Sequence, residues 1–220
     1  MNLKLQYTQD GSATLLNTAV NAAYHSRFGA VQESRHIYVN SGLLYAAKVF
    51  GSHLNVLEMG FGTGLNAWLS WQEALSRGLL LHYTAIEKDP VPQALYPALN
   101  YAGSEAEQQR FTDLLHSAWE QTCHLSAGFS LLKQQGDINS MPFPSPLHVV
   151  YYDAFDPMAA PECWQPSIFE RLFQAMLPGA VLLTFCAKGN IKRLLKETGF
   201  IIEALPGPPG KREITRAIKP

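Results

Sequence analysis

The chain has 220 residues, 47% hydrophobic and 16% charged, with a formal net charge of −1. This length supports one well-buried domain and excludes a pair of fused catalytic domains. The near-neutral charge excludes a protein that holds nucleic acid by bulk charge. The three cysteines form no CxxC pair, so neither a disulfide framework nor a zinc site is encoded, and no metal is expected. Because the sequence shows neither a leader nor an apolar run of membrane length, we expect a cytoplasmic protein without membrane contact.

The charge is unevenly divided along the chain. Residues 1–185 carry a net charge of −6, whereas residues 186–220 carry +5. Such a basic segment favours a polyanionic partner, although basic side chains also line the solvent-exposed faces of ordinary helices. The C-terminal segment is therefore a candidate contact surface for a nucleic acid.

The first 52 residues have a pattern of their own. The dipeptide Asp10-Gly11 separates two short apolar segments, which predicts a β-hairpin. A polar turn follows, and helical periodicity then extends to about residue 50. We interpret residues 1–52 as an N-terminal hairpin and helix appendage that packs on the domain formed by residues 53–220.

From residue 54 onwards, predicted strands and helices alternate, which indicates an α/β fold with a mostly parallel, doubly wound sheet. The tight Pro/Gly turn at 206–210 predicts that the last of seven strands is antiparallel. The predicted strands are 54–59, 80–86, 129–133, 149–153, 180–186, 200–205 and 214–218, and the predicted helices are 65–75, 91–99, 105–119, 166–177 and 191–197.

A glycine-rich loop stands between the first strand and first helix of this alternation. Its glycines, Gly60, Gly62 and Gly64, have the spacing GxGxG and not the dinucleotide spacing GxGxxG. Glu58, just before the loop, would repel a pyrophosphate but suits a cationic amino-acid group. Glu87 ends the next strand, where an acid can accept both hydroxyls of a ribose. This combination points to S-adenosylmethionine, whereas a lone glycine triplet would indicate only a turn.

Two further acids follow later strands. Asp137 could accept the exocyclic amine of adenine, or it could be an ordinary aspartate of a surface turn. Asp153 ends the strand VVYYD, where a carboxylate could take a proton from a substrate amine, and Phe155 could pack on a flat substrate. A helix N-cap or a structural acid is the alternative for Asp153.

Several segments together resemble one known family. EMGFGTGLN, YYDAFDPMAAPECW, TFCAKGNIKRLLKETGF and LPGPPGKREITRA are similar to the methyltransferase domain of the MnmC family, most closely to its free-standing form. DGSATLLN and YHSRFGAVQES are similar to the N-terminal pattern of that family. The resemblance implies a Rossmann-like class I methyltransferase that uses S-adenosylmethionine to methylate 5-aminomethyl-2-thiouridine at the tRNA wobble position. The implied partner is the tRNA anticodon stem-loop.

The resemblance also implies roles for particular residues. Asp153 is the implied catalytic residue, and the substrate-binding residues facing the RNA are Phe155, Lys211 and Arg212. Lys211 and Arg212 could instead pair with acids on the protein's own surface, and the roles of Cys186 and Lys188 stay open. The implied cofactor-binding residues are Glu58, Gly60, Phe61, Gly62, Gly64, Asn66, Glu87, Asp137 and Asp153.

Bifunctional relatives carry a flavin-dependent domain after the methyltransferase domain, and we expect no flavin in this chain because it ends at Pro220. A small-molecule amine N-methyltransferase, or an enzyme like the polyamine aminopropyltransferases, would share the fold and the loop but would not explain the basic C-terminal segment. A non-catalytic RNA-binding module would explain that segment but does not need Glu58, Glu87 and Asp153 together.

Overall fold

The structure is a computed structural model that describes residues 2–220. Its strands are β1 (Leu3–Tyr7), β2 (Ala13–Asn17), β3 (Ala22–Ala23), β4 (His53–Met59), β5 (Leu80–Glu87), β6 (Thr122–Ser126), β7 (Phe129–Gln135), β8 (Leu147–Tyr152), β9 (Met176–Thr184), β10 (Ile201–Pro206) and β11 (Glu213–Ile218). Its α-helices are α1 (Ala30–Ser34), α2 (Leu44–Phe50), α3 (Leu65–Arg77), α4 (Glu105–His116), α5 (Pro166–Ala175) and α6 (Gly189–Thr198). Short 3₁₀ helices cover Gln93–Ala98 and Pro161–Trp164.

The predicted hairpin at Asp10-Gly11 is confirmed. Strands β1 and β2 pair antiparallel, with Tyr7 opposite Ala13 next to the turn. The Asp10 carboxylate holds this turn, because it accepts hydrogen bonds from the Thr8 hydroxyl at 2.6 Å and from the Ser12 backbone N–H at 3.0 Å. Strand β3 adds to β2 and completes a small three-stranded sheet.

One continuous helix follows this small sheet. It runs from α1 through a π-helical stretch, Arg35–Leu43, into α2, and we call these three parts the N-terminal helix. The wider π-helical turn was not predicted, because periodicity reports a helix without distinguishing its hydrogen-bond pattern. Within it, Gly42 lies so close to the main sheet that an added Cβ would be 2.9 Å from Leu183 Cδ2 and 3.3 Å from Tyr151.

The main sheet has the order β10-β11-β9-β8-β4-β5-β7-β6. Strands β7, β5, β4, β8 and β9 are mutually parallel, and β11 runs antiparallel between β9 and β10. The predicted α/β fold and antiparallel last strand are therefore confirmed. Of the helices in residues 2–220, none is both long and apolar enough to cross a bilayer.

The predicted number of seven strands is wrong, because the sheet has eight. The additional strand, β6, pairs antiparallel with β7 at the sheet edge. Its sequence TCHLS is polar and not fully buried at any position, so it lacks the apolar alternation that marks a strand. The predicted helix at 91–99 is also different, because it contains Pro97 and forms a 3₁₀ helix.

Apolar side chains fill both faces of the sheet. Along β8, Val149 and Tyr151 pack into the cluster that includes α3 and the N-terminal helix, whereas Val150 and Tyr152 pack into the cluster that includes α5 and α6. This alternation follows from the two-residue period of a strand whose two faces are both covered. The packing fixes the ends of the central strands, and those ends carry the candidate site. The division into an appendage at 1–52 and a domain from 53 stays a prediction.

We expect the substitution Gly42→Leu to destabilise the protein. The new side chain would overpack the contact with Leu183, at a cost of about 1–3 kcal/mol in the free energy of unfolding. Gly189→Leu is a matched control, because an added Cβ there meets nothing within 4 Å. Chemical denaturation of both variants measures the effect, and a Gly42→Leu protein as stable as the control would contradict this packing.

Candidate active site

A cavity of about 440 Å³ lies at the carboxyl ends of β4, β5 and β8. The chain leaves β4 towards β5 on one side and returns through β8 on the other, and such switch points are the usual ligand sites of open parallel sheets. Part of the wall comes from the N-terminal segment, including Tyr24 and Glu33. The predicted site residues that line the cavity are Gly60, Phe61, Gly62, Asn66, Glu87, Asp153, Phe155 and Lys211.

The glycine loop brings its backbone close to two acidic residues. Gly60 has φ +93°, and an added Cβ would lie 3.0 Å from the carbonyl oxygen of Asp153. Gly62 has φ +52°, and its N–H donates a hydrogen bond of 3.0 Å to Glu87 Oε2. Both positions therefore favour glycine, through positive φ and through close approach.

Glu87 is poised to accept further hydrogen bonds. Its Oε1 accepts from the Asp89 backbone N–H at 2.9 Å, and its Oε2 accepts from Gly62. Each carboxylate oxygen has two acceptor positions, so each can accept one more donor. Burial raises the pKa of Glu87 above its ordinary value, while these backbone donors oppose the shift.

Asp153 is held by two side chains at the centre of the site. Its Oδ1 accepts a 2.6 Å hydrogen bond from the Tyr38 hydroxyl, and its Oδ2 accepts a 2.8 Å hydrogen bond from Asn66 Nδ2. Burial raises the pKa of Asp153 from 3.8 to about 7, with the two hydrogen bonds acting in the opposite direction. A carboxyl group with this pKa can take up a proton near neutral pH and release it again.

Glu58 lies behind the cavity and does not line it. It is fully buried, accepting hydrogen bonds from Asn66 Nδ2 at 2.9 Å and from the Tyr83 hydroxyl at 2.9 Å. Burial raises its pKa well above the ordinary value. The same Asn66 nitrogen therefore bridges Glu58 and Asp153, and a contact between Glu58 and the cofactor stays a prediction.

Three other predicted residues also lie outside the cavity lining. Gly64 begins α3, facing Leu115 and the Phe61 ring. Arg212 is exposed on the surface. Asp137 forms an ion pair of 2.9 Å with Lys88, and hydrogen bonds from Asn139, together with Lys88, lower its pKa to about 2. The contacts of Asp137 are those of a turn aspartate, while its neighbour Ile138 lines the cavity.

Lys211 lines the cavity and pairs with an acid there, whereas the resemblance implied that it faces the RNA. Its Nζ forms an ion pair of 2.7 Å with Glu33 Oε1 and lies 4.8 Å from the centre of the Phe185 ring. Pairing with an acid of the protein itself, the alternative left open by the sequence, is what the structure shows for Lys211. Lys188 pairs with Asp156 at 2.5 Å, and Cys186 is buried.

Sequence reasoning missed three residues of the N-terminal segment. Tyr38 bonds to Asp153, and Glu33 pairs with Lys211. The Tyr24 ring packs on Gly62 and lies 5.2 Å from the Phe155 ring in an edge-to-face arrangement. The one available signal was the family-like segment YHSRFGAVQES, which contains Tyr24 and Glu33 but says nothing about what they contact.

The chain is similar to known methyltransferases and to tRNA-modification proteins. Residues 116–220 match a family model described as S-adenosyl-L-methionine-dependent methyltransferase. The tRNA 5-methylaminomethyl-2-thiouridine biosynthesis bifunctional protein MnmC of Chromobacterium violaceum is 28% identical over 94% of this chain and 33% of its own length. The protein of the same name from Ectopseudomonas mendocina is 30% identical, with coverages of 97% and 34%. The chain thus spans about a third of the length of these relatives.

A solved structure shows the same fold. The crystal structure of MnmC2 from Aquifex aeolicus superposes with a TM-score of 0.83 at 21% identity, covering 100% of this chain and 70% of that one. The chain therefore has the fold of the class I S-adenosylmethionine-dependent methyltransferases, and its C-terminal part, residues 116–220, matches a methyltransferase family model. The chain is similar along nearly its whole length to these MnmC proteins, which confirms the resemblance found in the sequence.

The cavity fits S-adenosylmethionine by its own chemistry. Asn66 Oδ1 is buried and accepts no hydrogen bond from residues 2–220, so it can receive a donor such as the ammonium group of an amino acid. Glu87 lines the cavity, and its carboxylate keeps acceptor capacity for a ribose hydroxyl beyond its backbone donors. At Gly60 an added Cβ would lie 3.0 Å from the Asp153 carbonyl oxygen, so glycine lets the loop pack against the end of β8.

The raised pKa of Asp153 predicts a pH-dependent cost in stability. Between 3.8 and about 7, the unfolded chain has lost this proton and the folded chain still holds it, so folding becomes less favourable as pH rises through that range. Asp153→Asn removes the titration. We therefore expect the free energy of unfolding of wild type, minus that of Asp153→Asn, to fall as pH rises towards 7. Urea denaturation at a series of pH values measures it, and a constant difference would contradict the raised pKa.

Proposed function

We propose that this chain is an N-methyltransferase that converts 5-aminomethyl-2-thiouridine, or its form without sulfur, to the 5-methylaminomethyl nucleoside at the tRNA wobble position. The observation that carries the proposal is the half-buried Asp153 carboxyl group, held at the end of β8 beside the glycine loop. The names of the MnmC relatives supply the substrate class. The proposed partner is the anticodon stem-loop of tRNA, and a cytoplasmic location follows from that substrate.

The proposed cofactor site uses three parts of the cavity. Glu87 would accept the ribose hydroxyls, Asn66 Oδ1 would accept from the amino-acid end, and the backbone at Gly60 and Gly62 would lie against the cofactor. When bound, S-adenosylmethionine supplies an electrophilic methyl group. Glu58, Gly64 and Phe61 hold the loop and Asn66 in place, and Asp137 stays the predicted partner of the adenine amine.

Asp153 supplies the proton acceptor that methyl transfer to an amine requires. An alkyl ammonium group has no free lone pair, so one N–H bond must break before nitrogen can attack. Asp153 would accept that proton, and the freed lone pair would form the new nitrogen–carbon bond while the bond between the methyl group and the sulfonium sulfur breaks. The products would be a secondary ammonium group and the neutral thioether of the cofactor. Tyr38 and Asn66 each hold one oxygen of the carboxylate, so the acceptor is fixed in direction before the substrate arrives.

The walls of the cavity suit a flat, substituted ring. Tyr24 and Phe155 stand edge to face at its side, and both rings line it. Aromatic side chains of this kind pack against unpaired bases, and sequence-specific RNA recognition usually targets bases that have left the stack. The exposed Arg212 and the +5 charge of residues 186–220 support a contact with the RNA backbone.

Transfer of a labelled methyl group tests the proposal directly. Purified protein is incubated with labelled S-adenosylmethionine and with tRNA carrying, or lacking, the aminomethyl group. We expect label only in the aminomethyl tRNA, at the wobble nucleoside. Equal labelling of the free aminomethyl nucleoside would favour a small-molecule N-methyltransferase, and cofactor binding without transfer to any amine would favour a non-catalytic RNA-binding module.

Removing the proposed proton acceptor should slow methyl transfer strongly without preventing cofactor binding. Asp153→Ala is expected to lower kcat by roughly a hundredfold or more, the scale of a lost general base, and to change cofactor affinity by less than about tenfold. Single-turnover kinetics and calorimetry separate the two quantities. Turnover close to wild type would remove Asp153 from the mechanism.

Removing the proposed ribose acceptor should weaken cofactor binding. Glu87→Ala is expected to weaken binding of S-adenosylmethionine by about 1–3 kcal/mol, because two hydroxyls lose a charged acceptor. Glu162→Ala is the control, since Glu162 is an exposed acid on the wall of the same cavity. Calorimetry compares the two variants, and equal affinities would place the ribose elsewhere.

A further inference from the structure

Two charged side chains from opposite ends of the sequence meet in the cavity that holds Asp153. Glu33 comes from α1, and Lys211 comes from the turn between β10 and β11. Their side chains are largely buried, with exposed fractions of 10% and 27%. Glu33 is fixed from its other side, because its Oε2 accepts a 2.7 Å hydrogen bond from the Ser26 N–H. Lys211 is fixed by the Phe185 ring.

Acidic groups predominate around Asp153. Negative charge on Glu33 raises the pKa of Asp153, whereas positive charge on Lys211 lowers it. Burial raises the pKa of Glu58, and the negative charges of Asp153 and Glu87 raise it further. Glu58 and Asp153 accept hydrogen bonds from the same Asn66 nitrogen. The titratable and charged groups that face Asp153 or its neighbours are Tyr38, Glu33, His25, Glu58, Tyr83, Glu87, Asp156, Lys188 and Lys211.

We propose that Lys211 is a positioning residue for methyl transfer, whose ammonium group offsets Glu33 and thereby keeps Asp153 charged and able to accept the substrate proton. This inference rests on the proposed function, because it assigns the proton to Asp153. Without the lysine, the carboxylates of Glu33 and Asp153 would share one cavity with no cation between them and the substrate. Like charges so placed favour the protonated form of one partner, and a protonated Asp153 cannot act as a base.

The geometry separates Lys211 from its neighbour Arg212. A phosphate could reach the ammonium group of Lys211 only by competing with Glu33 and displacing the side chain from Phe185. Arg212 is exposed, and no such pairing holds it in the described residues. The turn therefore presents one cation to the interior and one to the surface, and the two positions form a matched pair for mutation.

The test is the pH dependence of kcat/KM for methyl transfer to aminomethyl tRNA. In wild type, activity should rise with pH as Asp153 loses its proton, and this rise is the acid limb of the profile. Lys211→Met should move the acid limb to higher pH by about one unit, because a nearby opposite charge has been removed. Glu33→Gln should move it to lower pH, because it removes a like charge and leaves Lys211 unpaired.

Two further variants separate charge from structure. Lys211→Arg keeps the positive charge. Its acid limb should therefore shift from the wild-type position by no more than about a third of the shift that Lys211→Met causes. Arg212→Met removes the same charge from the surface and should leave the limb unmoved while weakening the salt dependence of KM. An unmoved limb in Lys211→Met, together with a weaker salt dependence of KM, would overturn the proposal and make Lys211 an RNA contact.

A second measurement does not depend on turnover. Isotope-edited NMR of protein labelled at the aspartate carboxyl carbons gives the titration midpoint of Asp153, identified by its absence in Asp153→Asn. The midpoint should rise in Lys211→Met and fall in Glu33→Gln, and equal midpoints would overturn the proposal. If wild-type protein transfers no methyl group to any tRNA, the proposed function fails, while the NMR titration still decides whether Lys211 controls Asp153.

Discussion

The side-chain amide of Asn66 is the contact on which the site depends. Its single nitrogen donates to Glu58 Oε1 at 2.9 Å and to Asp153 Oδ2 at 2.8 Å, and so it joins the end of β4 to the end of β8. Two buried carboxyl groups this close would repel each other if both were charged. The bridge offsets that repulsion and fixes the amide, whose oxygen is buried and accepts no hydrogen bond from residues 2–220.

Segments from both ends of the sequence complete the cavity that the central strands begin to form. The π-helical stretch brings Tyr38 to Asp153, and the small N-terminal sheet brings Tyr24 to Phe155. The C-terminal hairpin is fastened to the N-terminal helix, because His36 Nε2 lies 2.8 Å from the Pro206 carbonyl oxygen. Because both ends of the chain contribute to the cavity wall, folding of the N-terminal segment and formation of the site are coupled.

The sequence predicted the parts of the site that depend on local order. Glycines between a strand and a helix, and acids such as Glu87 and Asp153 at strand ends, are placed by the topology of a parallel sheet. Side-chain pairings across the fold carry no comparable signal. For Lys211 the sequence left two possibilities, an RNA contact and an ion pair with the protein itself, and only the packed structure brings Glu33 against it. The edge strand β6 was missed because its short polar sequence is not buried enough to alternate.

Burial raises the pKa of Asp153 and also lowers the stability of the folded protein when Asp153 is charged. An aspartate in water has a pKa of 3.8 and holds a proton too weakly to be a useful acceptor from an ammonium group, whereas burial raises the value to about 7. The same burial penalises the charged form in the folded state. Hydrogen bonds from Tyr38 and Asn66 reduce that penalty without abolishing it, since they hold the carboxylate while leaving its pKa raised. A carboxyl group fully solvated at this strand end would cost less stability, but it would lose the proton affinity that an amine methyltransferase requires.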